Sequence, residues 1–274
     1  MKLGLGTVQF GQAYGVSNRH GQVPQDEARA ILDRAAQAGV RVLDTAVNYG
    51  EAEAVLARHD TAPFRIVTKT ASARNGVDAV VARARQSAQL LKADTLLVHA
   101  VSDLQDATLW PALQRLKQEG VFSRIGISAY AADDPAMLAE RFQPDVMQLA
   151  VSMLDQRLIR DGTLARLKAL NVEVHARSIF LQGLLFMESL PEKLRPAAPA
   201  LTAIKEQITT AGSNPLAAAL AFVLSRPEID VALVGVTQLL ELEEILEAAA
   251  RSQPVLDWRT LALEDETALT PSRW

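Results

Sequence analysis

The sequence predicts an α/β chain folded as a closed (β/α)8 barrel of the TIM-barrel kind, a single domain over residues 1–274. Three observations carry that expectation. Eight short apolar runs punctuate the chain. Longer stretches rich in Ala, Leu and Arg, with helically spaced apolar residues, lie between them. A length of 274 residues suits eight βα units closed on themselves, a fold that typically takes about 250 residues. An open, doubly wound sheet is the alternative, but it rarely needs eight such regular units.

The apolar runs lie at residues 3–7, 40–45, 65–70, 95–99, 124–128, 146–150, 172–178 and 231–236. Each predicts a strand of a parallel sheet with helical crossovers. The helices are predicted at 24–38, 51–58, 77–91, 109–119, 135–141, 162–170, 215–225 and 239–250. Pro24 precedes Asp26 and Glu27, acidic residues suited to a first helical turn. Ser213-Asn214-Pro215 offers a cap followed by Pro at the first helical position. Gly39 and Gly120 follow helical stretches and read as C-caps. Residues 182–198 read as a long irregular loop followed by two helices, and 252–274 as a tail outside the repeat.

Composition narrows the function. Hydrophobic residues make up 49% and charged residues 22%, which excludes wholesale disorder. The longest strictly apolar run, 216–224, is far shorter than the ~20 residues of a membrane span. The start has neither a basic region nor an apolar core of the signal-peptide kind, so none is expected. The chain has no cysteine, which excludes disulfides, thiolate chemistry and Cys-ligated metals and suits a cytoplasmic protein. A net charge of −4 with scattered Arg gives no footprint for nucleic acid. No His or carboxylate pair has spacing such as HExxH, so no metal is expected.

In such a barrel the active site forms where the strands end. The second run ends in Asp44-Thr45, the third reaches Lys69, the fourth ends in His99 and the fifth in Ser128. Gln148 lies in the sixth run, Arg177-Ser178 ends the seventh, and Tyr49 follows the second strand. A carboxylate, an amine, an imidazole and a phenol thus converge on one mouth. A free phenol has a pKa of about 10, and a nearby ammonium lowers it. Lys69 supplies that charge, Asp44 holds Lys69, and His99 orients a substrate oxygen. The group suits protonation of a carbonyl oxygen while a cofactor delivers hydride to its carbon.

Taken singly, each residue has a bland reading. Asp44 and Lys69 make a structural ion pair, Tyr49 anchors a loop, and His99 is a core histidine. Phe10 and Tyr14, after the first strand, either line an apolar substrate pocket or pack their loop. His175 reads as structural. Two other functions stay open: a Schiff-base lyase using Lys69, and a nicotinamide-binding redox sensor without turnover.

At this point the chain resembles the aldo-keto reductase superfamily. The likeness covers nearly its whole length: LGLGTVQFG at the start, LDTAVNYG at 43–50, VTK at 67–69, LLVH at 96–99, RIGIS at 124–128, and FVLSRPEIDVALVGVTQ late in the chain. The family's tetrad maps onto Asp44, Tyr49, Lys69 and His99. The resemblance implies reduction of an aldehyde or ketone, sugar-like carbonyls included, with Tyr49 as general acid. It implies a nicotinamide dinucleotide, NADP(H) ahead of NAD(H), with dual use open. Gly6, Thr7 and Asp44 would face the nicotinamide ribose, and Ser128 and Gln148 the carboxamide. Ser178, Phe180, Gln182 and Gly183 would lie along the pyrophosphate, and Gly235, Thr237, Glu241 and Glu244 toward the adenosine. The expected partner is a small carbonyl compound, with neither nucleic acid nor membrane, in a monomer or small homo-oligomer.

Three departures stand out. Ala129 replaces the family's frequent Asn. Arg177 takes the place of the aromatic residue that stacks on nicotinamide, and its charge opposes the oxidised ring. Glu241 puts a carboxylate where a partner for the 2′-phosphate of NADP is expected, and like charges repel.

Overall fold

The computed structural model describes every residue except Ser17, Glu188, Ser252, Ser272 and Arg273. Eight strands are present: β1 (Leu3–Gly6), β2 (Val42–Asp44), β3 (Arg65–Lys69), β4 (Thr95–Val98), β5 (Arg124–Ala129), β6 (Val146–Ala150), β7 (Glu173–Arg177) and β8 (Val231–Gly235). They pair in parallel, each with the next, and β8 pairs with β1, so the sheet closes as a barrel. Helices α1 (Val8–Gly11), α2 (Gln25–Gln37), α3 (Ala52–Leu56), α4 (Val77–Leu91), α5 (Leu109–Gln118) and α6 (Pro135–Phe142) follow the first five strands. After β6 come α7 (Arg157–Arg160) and α8 (Thr163–Ala169). After β7 come α9 (Ala198–Thr210) and α10 (Pro215–Leu224), and after β8 comes α11 (Leu239–Ala250). No helix among the described residues is long and apolar enough to cross a membrane.

Local chemistry accounts for many boundaries. The Asn214 side chain accepts from the Ala217 N–H at 2.9 Å, with Pro215 opening α10. Gly39 and Gly120, just beyond α2 and α5, have φ of +84° and +73°, left-handed values that cost glycine little. Other expectations shift. The 182–198 stretch is not wholly irregular, because short 3-10 helices span Leu181–Phe186 and Glu192–Ala197. In the tail, Trp258 packs on Phe222 of α10, and Leu263 N–H donates to Leu154 O at 2.9 Å.

Strand periodicity sorts the barrel interior into layers, because alternate side chains face inward. The middle of the interior is apolar, with Val42, Val67, Leu97, Val146 and Leu233 in one cluster that Val231, one step lower on β8, joins. Gly126 makes room there, since a Cβ would stand 2.1 Å from Val146 O. Two residues further along each strand, the same face presents Asp44, Lys69, Ser128, Gln148 and Gly235 at the mouth. Two residues back, the barrel floor is ionic. Glu173 accepts from Arg65 Nη1 at 3.0 Å and Arg124 Nη1 at 2.8 Å, and lies 2.7 Å from His175 Nε2. His175, fully buried, is thus part of this ionic cluster and does not line the cleft at the mouth.

Burial alone would raise the Glu173 carboxyl. The hydrogen bonds and charges of His175 and Arg65 outweigh it and bring the group to about 2. A depressed carboxylate contributes stability above its unfolded value near 4.5, and that contribution is lost as pH falls toward 2. Glu173→Gln is therefore expected to cost about 1–3 kcal/mol at neutral pH and to flatten the acid limb of the stability curve. Parallel acid-unfolding curves for variant and wild type would remove Glu173 from that response.

Candidate active site

A cleft of about 580 Å³ opens at the C-terminal ends of the strands. Backbone packing sets its floor. Thr7 is fully buried, and both its N–H and its hydroxyl donate to Asp44 O at 2.9 Å. The loop carrying Tyr49 lies directly on α1: Glu51 N–H donates to Gly11 O at 3.2 Å, and a Cβ on Gly11 would stand 1.8 Å from Tyr49 O. Only glycine fits there, so the sequence QFGQ locally fixes where Tyr49 stands.

Asp44, Lys69, Tyr49 and His99 come together at this floor. Lys69 is 1% exposed. Its ammonium donates to Asp44 Oδ1 at 2.7 Å, Asp44 Oδ2 at 2.6 Å, Thr45 O at 2.9 Å and Tyr49 Oη at 3.3 Å. Gln148 Nε2 donates to Asp44 Oδ1 at 2.6 Å. Burial alone would lower Lys69, but the charge and hydrogen bonds of Asp44 overcome it and hold the ammonium above its ordinary value. The His99 ring meets the Tyr49 ring edge-on, with centroids 5.8 Å apart.

Electrostatics refine one expectation. Lys69 pulls the Tyr49 phenol down, as the sequence predicts. Burial is the larger influence, and with the Asp44 charge it leaves the phenol above its ordinary value of 10. Tyr49 is thus protonated at neutral pH. His99 is lowered to about 4 by burial first and then by the Lys69 charge, so it is neutral. Its buried Nδ1 has no hydrogen-bond partner among the described residues.

Of the residues expected along a dinucleotide, Gly6, Asp44, Ser128, Gln148, Arg177 and Ser178 line the cleft. Phe180, Gln182, Gly183, Gly235, Thr237, Glu241 and Glu244 line it as well. Thr7 does not; it lies beneath, holding Asp44. Phe10 does not line the cleft either, because it is fully buried in the core, so the packing alternative describes it. Tyr14 does line the cleft, and its hydroxyl accepts from Gln182 Nε2 at 2.9 Å, linking the loops after β1 and β7. In the β7 loop Ser178, Leu181 and Gln182 have φ of +57°, +45° and +55°, an uncommon backbone for side-chain-bearing residues.

Arg177 is placed differently from a residue stacked freely over the cleft. Its guanidinium lies 4.2 Å from the Tyr130 ring centroid, and Nη2 donates to Ala129 O at 3.2 Å. Tyr130 itself was not among the expected site residues, though an aromatic directly after a strand end was the available signal. Gln9 was also missed. It lines the cleft with a buried Oε1 that has no partner among the described residues, and its one signal is its place inside LGLGTVQFG.

The cleft suits a nicotinamide dinucleotide on its own observations. Gln148 spends its amide N–H on Asp44 and leaves a buried Oε1 without a partner among the described residues, the acceptor a carboxamide N–H2 needs. Ser128 is its neighbour in the strand register. Gly235, the strand partner of Gly6, is exposed to the cleft beside Gln9, where a Cβ would stand 2.9 Å from the Gln9 amide.

Comparison with known proteins agrees. The model of the family described as "Aldo/keto reductase family" matches residues 2–260. The chain is 29% identical to L-galactose dehydrogenase of Arabidopsis thaliana, over 98% of this chain and 90% of that protein. The holo form of the aldo-keto reductase AKR11C1 from Bacillus halodurans superposes with a TM-score of 0.76 at 21% identity, over 95% of this chain and 90% of that one. A putative aldo-keto reductase from Pseudomonas aeruginosa superposes with a TM-score of 0.67 at 23% identity, over 91% and 89%. With the family model spanning nearly the whole barrel, the chain belongs to the aldo/keto reductase family.

Proposed function

We propose that this oxidoreductase interconverts a carbonyl compound and its alcohol with a nicotinamide dinucleotide, Tyr49 acting as general acid in the reducing direction. One observation carries the reading: a phenol in the cleft, 3.3 Å from a buried ammonium that is itself gripped by both oxygens of Asp44. The bound dinucleotide supplies or accepts hydride. Everything else falls to the chain's own residues. Gln148 Oε1 and Ser128 would hold the dinucleotide's carboxamide. Tyr49 donates its proton to the carbonyl oxygen, and Lys69 stabilises the phenolate left behind. Neutral His99 orients that oxygen by hydrogen bonding without adding a second charge.

The Schiff-base alternative finds no support in this arrangement. Lys69 lies behind Tyr49, and its ammonium is held charged by Asp44, so it offers no lone pair to a carbonyl.

A sugar-like substrate is the first class to test, since the full-length relative is named for L-galactose and the floor offers several hydrogen-bonding groups. A cytoplasmic setting belongs to the same reading, because a chain without cysteine suits a reducing compartment. The test is nicotinamide absorbance with a panel of aldoses, aldehydes and ketones, run in both directions. Turnover that requires Tyr49 supports the proposal. Saturable dinucleotide binding with no turnover on any member would favour a nicotinamide sensor instead.

A further inference from the structure

We infer that Glu241 makes this chain select NAD(H) over NADP(H), by replacing the anion subsite at the start of α11 with an acceptor for a ribose hydroxyl. The inference rests on the dinucleotide reading of the cleft and reverses the NADP(H)-first expectation.

A 2′-phosphate needs free N–H donors or cations. At this end of the cleft two of the backbone donors are spent, and no lysine or arginine stands among the described residues lining it. Glu241 Oε2 accepts from the Thr237 N–H at 2.5 Å and from the Thr237 hydroxyl at 3.0 Å. The Leu239 N–H, the first of α11, donates to Glu27 Oε1 at 2.5 Å. Two backbone donors that an incoming phosphate would use already serve carboxylates from two different helices. The positive end of the α11 dipole is met by Glu241 in the first turn.

The charge around the subsite points the same way. Glu241 and Glu244 both line the cleft. Among its described lining residues the only lysine or arginine is Arg177, which is committed to Tyr130 and Ala129 at the tetrad end. His20 stands near Gln238, with Nδ1 3.4 Å from the Gln238 amide, and does not line the cleft. A phosphomonoester carries about −1.5 to −2 at neutral pH, so it would enter beside two carboxylates without a compensating cation. A 2′-hydroxyl is a donor and meets no such penalty. Glu241 Oε1 has no partner among the described residues and is the acceptor available to it.

Binding, read by calorimetry on the purified protein with NADH and NADPH, tests this without turnover. Wild type is expected to hold NADH at least about tenfold tighter. Glu241→Gln, which keeps an oxygen for Thr237 but loses the charge, should narrow the gap. Glu241→Arg should invert it, with an unchanged circular dichroism spectrum confirming the fold. Competition by ADP against 2′,5′-ADP isolates the adenosine end, and wild type should prefer ADP. NADPH bound as tightly as NADH by wild type overturns the inference and leaves the dinucleotide reading standing. Binding of neither nucleotide to folded protein removes that reading, and the inference with it.

Discussion

Tyr49→Phe is expected to lower kcat for carbonyl reduction by about 10²–10⁴-fold, the usual worth of a positioned proton donor. Dinucleotide affinity and melting temperature should barely move. The ring contributes packing that Phe retains: its edge against His99, and its face 4.8 Å from the Lys69 ammonium. Only the hydroxyl disappears, and with it the proposed proton donor. The pH profile of the wild type should follow the same group. Tyr49 titrates above 10, so reduction should hold its rate through neutral pH and fall only in the alkaline range. Alcohol oxidation needs the phenolate as base and should climb with pH toward that range. At the acid end, His99 takes a proton only near pH 4, so no limb centred near 6.5 is expected. Wild-type kcat in Tyr49→Phe with the best substrate would end the assignment.

Lys69→Met should damage both stability and turnover. Asp44 would keep its buried charge with only Gln148 hydrogen-bonded to it, and breaking a buried pair on one side typically costs about 3–5 kcal/mol. Turnover should fall about 10²-fold or more, because the phenolate loses its neighbouring charge. Asp44→Asn added to Lys69→Met separates the two effects. The double variant carries no buried charge, so it should regain much of the lost stability while remaining inactive. Simple additivity of the two stability losses would mean that the pair is not coupled, contrary to ammonium–carboxylate distances of 2.6 and 2.7 Å. The raised Lys69 pKa sets the pH window: its contribution is fully present below the unfolded value of 10.5 and is lost only as pH rises beyond it.

Much of this molecule was legible in one dimension. The helices α4 and α11 occupy the residues that apolar spacing predicts, 77–91 and 239–250. The polar residues ending each apolar run converge because alternate side chains of a strand share a face, so Asp44, Lys69 and Gln148 rise from the positions above Val42, Val67 and Val146. Tyr49 was legible through its place just after β2, and the glycines that seat it, Gly11 and Gly50, stand in the sequence on either side of the contact.

The remainder depends on depth and on partners far apart in the chain. Phe10 and Tyr14 are equally apolar candidates in one loop, yet Phe10 is fully buried while Tyr14 is 42% exposed and lines the cleft. Nothing local separates them; the packing of α1 does. The upward shift of Tyr49 has the same origin, because burial is a property of the assembled mouth and outweighs a charge that the sequence could place. Arg177 meets Tyr130 across two strands, and Glu241 shares its helix end with Glu27 from α2. By itself, then, the sequence determined the barrel and the mouth at which Asp44, Tyr49, Lys69 and His99 meet, because strand and helix periods are local. Only the tertiary structure decided which side chains reach the cleft, how their protons are held and which carboxylates cap the start of α11, because desolvation and pairing are set by neighbours that the chain brings together from afar.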